Sequence, residues 1–434
     1  MTAIKTAASA LALGLGCSAL MTGAAQAAGF YLQDLSARQA GSAFSGAATA
    51  QGPDALWWNP ASIAGTTTKQ LSFGAAYIAP KGTVNDTGSV IVRPGQAPAS
   101  VGGNPSAKGP ILNGVLPNVS FSMPLNDRVA VGLTVNAPYS FETHYTGDSW
   151  ARYNAEKTRL TTVDIQPTIA FKLNNWLNVG VGINAEYTKA TLGNKLPNLS
   201  PALPDGDQVL EGDGWDTGWS VGAQAHSGKL VAGLSYKSAI KHNLKGTVNI
   251  SGLLGPLAAS NMTQDGVTAD FSTPSQLTAG LSYQATDRLA LHGQVTNFGW
   301  SKFDAITLGA PFNQAIPEDY RDTTSVAVGF DYVIDPKWTV RAGVQTDPTP
   351  TRDGHRDARV PDSDRIDYAI GTTWQMTPAF AIDAAFTYVG FKKTQLDYTT
   401  AAYAGTAAQT PILINGAVND AKATVFMLGG HYSF

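Results

Sequence analysis

The stretch Leu177-Asn178-Val179-Gly180-Val181-Gly182-Ile183-Asn184-Ala185-Glu186-Tyr187-Thr188 decides the fold. Its odd positions are Leu, Val, Val, Ile, Ala and Tyr, and its even positions are Asn, Gly, Gly, Asn, Glu and Thr. A period of two marks a strand with one apolar face, because successive side chains point to opposite sides. The beat returns at Val129-Val131-Leu133-Val135, Trp219-Val221-Ala223, Leu277-Ala279-Leu281-Tyr283 and Val326-Val328-Phe330-Tyr332. It returns again at Trp338-Val340-Ala342-Val344 and Phe380-Ile382-Ala384-Phe386-Tyr388. Alternation alone fits a sandwich in water as well as a barrel in a membrane.

Composition and turns separate the two. Of 434 residues only 14 % are charged, against about 25 % in ordinary soluble domains. The 29 basic and 32 acidic residues leave a net charge of −3, which offers no footprint for nucleic acid. Tight polar breaks sit at Asn126-Asp127, Asn174-Asn175, Ser227-Gly228, Thr286-Asp287, Asp335-Pro336 and Thr377-Pro378. Each interval between them holds two strands and a long loop. Short turns on one rim and long loops on the other are the pattern of an outer-membrane barrel. Six short turns predict an all-β fold, a 14-stranded antiparallel transmembrane β-barrel, spanning residues 68–434. The last strand alternates Phe426, Leu428, Gly430, Tyr432 and Phe434, an aromatic ending of the kind read by the barrel-assembly machinery. Tyr187, Tyr236, Tyr283, Tyr332, Tyr388 and Tyr432 fall on outward positions, as expected for aromatic girdles.

The first residues follow a different logic. Lys5, then an apolar run of Ala, Leu and Gly, then Ala25-Gln26-Ala27 predict a signal peptide over residues 1–27, cleaved before Ala28. Cys17, the single cysteine, falls inside it. Residues 28–67 carry only Asp34, Arg38 and Asp54 as charges and are too apolar for a free tail. A 14-stranded barrel leaves a wide lumen, so this segment is expected to form an N-terminal hatch plugging it; a periplasmic extension is the other reading. Glycines at positions 180, 182, 222, 280, 329 and 371 fall on inward positions and would leave it room.

Five motifs in order carry a resemblance. Ala28-Gly29-Phe30, Ser42-Ala43-Phe44-Ser45-Gly46, Asn59-Pro60-Ala61, Gly212-Asp213-Gly214-Trp215, and Ser363-Asp364-Arg365 after Thr346-Asp347-Pro348-Thr349-Pro350 together resemble the FadL/TodX family of outer-membrane transporters of hydrophobic compounds. The resemblance implies passive import of long-chain fatty acids in the bacterial outer membrane. Uptake of aromatic hydrocarbons by the same route stays open, as does a general porin for polar solutes. Implied partners are the hydrophobic ligand, outer-membrane lipid and lipopolysaccharide, and the assembly machinery, around a monomer.

The same resemblance implies where the work is done. Leu196, Leu199 and Leu203, with Leu253, Leu254 and Leu257, lie in two long loops suited to capturing ligand, or else they pack over the barrel mouth. Lys189 matches the place of a basic residue that contacts a ligand carboxylate, and Phe30 belongs to the inner site. By parity, however, Lys189 faces lipid unless a bulge intervenes; a solvated rim lysine is the alternative. A second basic residue expected after Trp300-Ser301-Lys302-Phe303 is replaced by Thr307. Asn136, Ala137 and Pro138 match an inward kink of the third strand that opens the wall sideways; proline cannot donate to a ladder and equally marks an ordinary strand end. Asn59, Pro60 and Ala61 are expected to fix a gate in the hatch.

Enzyme and metal readings find no support. The six histidines show no H-E-x-x-H spacing, no G-x-S-x-G elbow occurs, and no cofactor or metal site is expected. Asp205, Asp207, Glu211, Asp213 and Asp216 lack the order of a calcium loop and read as a solvated loop.

Overall fold

The computed structural model describes residues 29–434; the expected signal, Cys17 and the cleavage point before Ala28 lie outside the described residues. Fourteen antiparallel strands form the wall. They are β1 (Gln70–Asp86), β2 (Gly114–Pro124), β3 (Val129–Asn136), β4 (Lys157–Lys172), β5 (Leu177–Leu196), β6 (Gly206–Ser227) and β7 (Leu230–Lys237). Then follow β8 (Ser275–Gln284), β9 (Leu289–Gly299), β10 (Thr323–Asp335), β11 (Trp338–Asp347), β12 (Arg365–Gln375), β13 (Phe380–Phe391) and β14 (Thr410–Ser433). Each pairs with its neighbours, and β14 pairs with β1 from Gln70↔Ser433 to Asp86↔Gly416, closing the barrel. β7 resumes after two residues as Ile240–Ser251, paired with Met262–Thr273 on one side and, over Lys245–Ser251, with the upper part of β6 on the other.

All six polar breaks fall at the short turns, and side-chain chemistry explains five of them. Asn126, Asn174 and Asp335 each use Oδ1 to accept two backbone N–H groups, as Asn174 does from Trp176 at 2.9 Å and Leu177 at 2.8 Å. Thr286 and Thr377 do the same with Oγ1. Such local bonds replace the ladder where the chain reverses. In the sixth, Gly228 takes φ +56°, a left-handed conformation that glycine adopts without cost.

Outward faces carry exposed Phe73, Tyr77, Ile183, Trp215, Trp219, Ile370, Phe426 and Leu428, and inward faces carry buried Asn184, Glu186, Gln224 and Asp367. This is the inversion that a lipid solvent demands. The acidic stretch from Asp207 to Asp216 is not a loop: it lies within β6, paired with β5 and with Ile240–Ser251. The misreading came from charge, which a strand rising beyond the bilayer carries as readily as a loop does.

Residues 29–66 run through the barrel interior. Phe30, Leu32, Leu35, Phe44, Leu56, Trp57 and Ile63 are at most 3 % exposed. Each such side chain contributes roughly 1.5–3 kcal/mol by burial, enough to oppose the cost of ordering a segment that holds only short helical turns. Glycine makes the fit. A Cβ at Gly180 would lie 2.4 Å from Pro60 carbonyl atoms, at Gly222 2.0 Å from Asn59 Oδ1, at Gly343 2.1 Å from Ser42 O, and at Gly371 2.6 Å from Gly41 Cα. Gly280 and Gly329 also face the segment, whereas a Cβ at Gly182 would meet barrel side chains, Ser220 Oγ first at 2.8 Å.

Candidate functional site

Asn59 is fully buried and fastens the segment to the wall. Its Nδ2 donates to Ala48 O (2.8 Å) and Ala223 O (3.1 Å), and its Oδ1 accepts from Ala61 N (3.0 Å), capping the turn Pro60–Ile63. Pro60 occupies the first helical position, where its missing N–H costs nothing.

The third strand leaves the sheet where proline was singled out. β2 and β3 pair only as far as Val119↔Val135, and β3 and β4 only as far as Asn136↔Asp164. Pairing with β4 resumes at Phe141↔Leu160. Between these points the backbone turns inward. Pro138 O accepts Leu32 N at 2.7 Å, Tyr139 bridges to Tyr31, and Thr162 Oγ1 accepts Tyr139 N at 2.9 Å and donates to Tyr139 O at 2.8 Å. On the other side, Gly114–Asn118 of β2 pair with β1 and have no partner in β3. The ladder is interrupted there.

Beside this break, beneath the extracellular loops, lies an apolar chamber that opens to solvent; its cavity volume is about 90 Å³, and about 850 Å³ when the solvent at its mouth is counted. Phe30, Phe141, Leu160, Leu244, Phe271 and Phe303 line it. Phe30 is its aromatic centre, 4.9 Å from Trp300, 5.0 Å from Phe303 and 5.9 Å from Phe141 between ring centroids. A buried charge network sets its position: Gly29 N donates to Asp362 Oδ2 at 2.8 Å, and Arg365 pairs with Asp362 and Asp347. Thus two of the resemblance motifs, distant in sequence, meet at one knot. Gly29 itself has φ +70°, a left-handed conformation that favours glycine, and a Cβ there would sit tightly, 3.1 Å from Trp300.

Lys189 is corrected. β5 runs in register past it without a bulge, Lys189 pairs across to Thr161 and Asp213, and its side chain is exposed on the outward face. Parity wins. The basic groups of the chamber are instead Arg159 and Arg359, with Glu318 and Glu211 as its acids. Arg359 is held by Asp357 at 3.4 Å. Burial, and after it the charge of Asp357, push the Glu318 carboxyl up to about 8 against the pull of Arg359. Sequence reasoning missed Glu318 and Arg359 because 311–322 and 348–364 carry no alternation that would set their direction. The aromatic Phe303 closing Trp300-Ser301-Lys302-Phe303 was the usable signal.

The loop leucines gather elsewhere. Leu196, Leu253 and Leu257 form one buried cluster with Leu199 packed against it, while Leu203 and Leu254 are 38 % and 41 % exposed. None of the six lines the chamber. Below the chamber the lumen turns polar. His242 stacks on Phe271, Asp164 accepts from Asn184 at 2.9 Å, and Lys237 donates to Gln166 at 2.8 Å with its ammonium 3.5 Å from the Trp57 ring centroid.

A closed barrel of 14 strands, with an apolar chamber over a filled lumen, defines an outer-membrane transport protein for hydrophobic compounds. The chain belongs to the outer membrane protein transport protein family (OMPP1/FadL/TodX), whose profile matches residues 18–434. It is 28 % identical over 410 residues to a long-chain fatty acid transport protein of Escherichia coli, covering 86 % of this chain and 90 % of that protein. It is 27 % identical to outer membrane protein P1 of Haemophilus influenzae, covering 86 % and 88 %. The crystal structure of a Pseudomonas aeruginosa FadL homologue superimposes with a TM-score of 0.81 at 25 % identity, covering 94 % of this chain and 100 % of that one. The Ralstonia pickettii toluene transporter TbuX shares the fold, with a TM-score of 0.60 at 18 % identity, covering 88 % and 94 %.

Proposed function

We propose that this protein imports long-chain fatty acids passively, through the chamber and then sideways through the opening beside β3. The observation that carries this reading is the chamber itself: apolar walls next to a break in the ladder, with Arg359 among the lining residues. An alkyl tail gains roughly 0.8 kcal/mol per buried CH₂, and a guanidinium offers a carboxylate charge-assisted hydrogen bonds. The polar layer from Asp164 to His242 opposes descent along the axis, because an apolar tail cannot satisfy buried polar groups. Residues 28–67 then act as the hatch, with Asn59-Pro60-Ala61 as its fixed point. Exposed Leu203 and Leu254 remain available for the first capture.

The test is binding of oleate and of toluene to the purified full-length protein. Arg359→Gln is expected to weaken oleate about ten- to a hundredfold, the worth of a charged hydrogen bond, and to leave toluene unchanged. Equal losses for both, or none, would overturn the carboxylate assignment.

Glu318 adds a pH dependence. Its carboxyl is neutral below about pH 8 and becomes charged above it. A fatty acid is already ionised throughout that window, so oleate binding should hold from pH 6 to 7 and fall as pH rises past 8. In Glu318→Gln the profile should be flat; a fall that persists there would assign the titration to another group.

A further inference from the structure

On the outward face, β1 reads Leu71, Phe73, Ala75, Tyr77, Ala79 and then Lys81, and β14 opposite reads Tyr432, Gly430, Leu428, Phe426, Thr424 and then Lys422. The two lysines are direct cross-strand partners and both are exposed. Opposite residues lie about 4.5–5.5 Å apart at Cα, and like charges so placed repel. Neither lysine has an ion-pair partner among the described residues: the nearby pair is Lys392 with Asp364 at 3.2 Å, and Asp420, across the bulge that follows, makes none. Lys108, exposed and opposite Thr83, adds a third positive charge just above. The ladder shifts register between Lys81 and Thr83, a bulge of the kind that re-aims side chains.

Height identifies the missing anion. Tyr77 and Phe426 face each other 44 % and 53 % exposed, as girdle residues do. Lys81 lies four residues beyond Tyr77, about 13 Å along the strand and about 10 Å along the axis of a tilted barrel. It is the first charged row above the apolar band, on the side of the long loops.

We propose that Lys81, Lys422 and Lys108 form a binding site on the outer wall for the phosphate groups of lipopolysaccharide. The phosphates neutralise a lysine pair that the protein leaves uncompensated, while the acyl chains lie along the apolar face beneath. The site is independent of the cargo and of the chamber.

The test measures retention of lipid A bearing two, one or no phosphates by the full-length protein in detergent, using native mass spectrometry. Phosphorylated lipid A should bind and the dephosphorylated form should not. The double variant Lys81→Gln/Lys422→Gln should lose about thirtyfold, the worth of two lysines near an anionic surface. Lys422→Glu, which supplies Lys81 with a carboxylate partner, should fold with the same heat-shifted migration as the wild type and also lose the lipid. Equal binding of the dephosphorylated form, or full binding by the folded variants, would overturn the site. Equal competition by phosphatidylglycerol would overturn the assignment to lipopolysaccharide.

Discussion

Gly222→Leu/Gly343→Leu is expected to turn a barrel that passes little current into one that conducts ions steadily across a planar bilayer. Both glycines face the N-terminal segment at backbone distance. A Cβ at Gly343 would stand 2.1 Å from Ser42 O, and one at Gly222 would stand 2.0 Å from Asn59 Oδ1. Neither neighbour is the free end of a flexible chain: Ser42 O belongs to the backbone and Asn59 is fixed by three hydrogen bonds. The segment cannot absorb a leucine at either place without leaving its seat, and a lumen of this strand number without it is wide enough for water. The wall loses nothing, since leucine on these strands keeps every ladder bond. Channel recordings on wild type and variant check this. A large steady current from the wild type would remove the hatch reading and restore the porin. A silent, correctly folded variant would show that the segment adjusts where its contacts say it cannot.

The second large effect is at the opening. Rebuilding residues 137–140 as an alternating strand, beginning with Pro138→Val, should lower oleate uptake by cells to the level of a strain lacking the protein. Oleate binding to the purified protein should change little. Proline removes one donor, and the inward turn is then fixed by Leu32 N on Pro138 O and by Thr162 against Tyr139. The single substitution leaves those bonds available, which is why the neighbours must change with it. Unchanged uptake by a rebuilt strand that folds would reject sideways release. Loss of binding together with uptake would instead place Tyr139 and Phe141 within the ligand's own contacts.

The barrel was legible because its physics is local. Leu177 to Thr188 alternates, Asn174 turns the chain with its own side chain, and each signal lies within a few residues. The break at Pro138 was legible for the same reason, since proline states what it withholds from a ladder. The chamber was not. Arg359 and Glu318 stand in segments without period, so nothing nearby fixes where they point, and Phe30 is placed by Asp362 from the far end of the chain. Lys189 is the converse case: the resemblance drew it to the ligand while its parity put it outside, and parity is the stronger constraint because a one-residue slip would turn every side chain of β5 inside out.

The seam where β14 meets β1 has a consequence for assembly. It joins opposite ends of the described chain, the most non-local pairing in the molecule and therefore among the slowest to form. The N-terminal segment precedes β1, yet its contacts come from all round the wall, from β1 to β14, and most of those strands are made later. Seating the segment is therefore expected to precede or accompany closure of that seam. Closing the wall and filling it are then expected to be coupled steps, since a chain that zipped its edges first would have to admit the segment into a ring already shut.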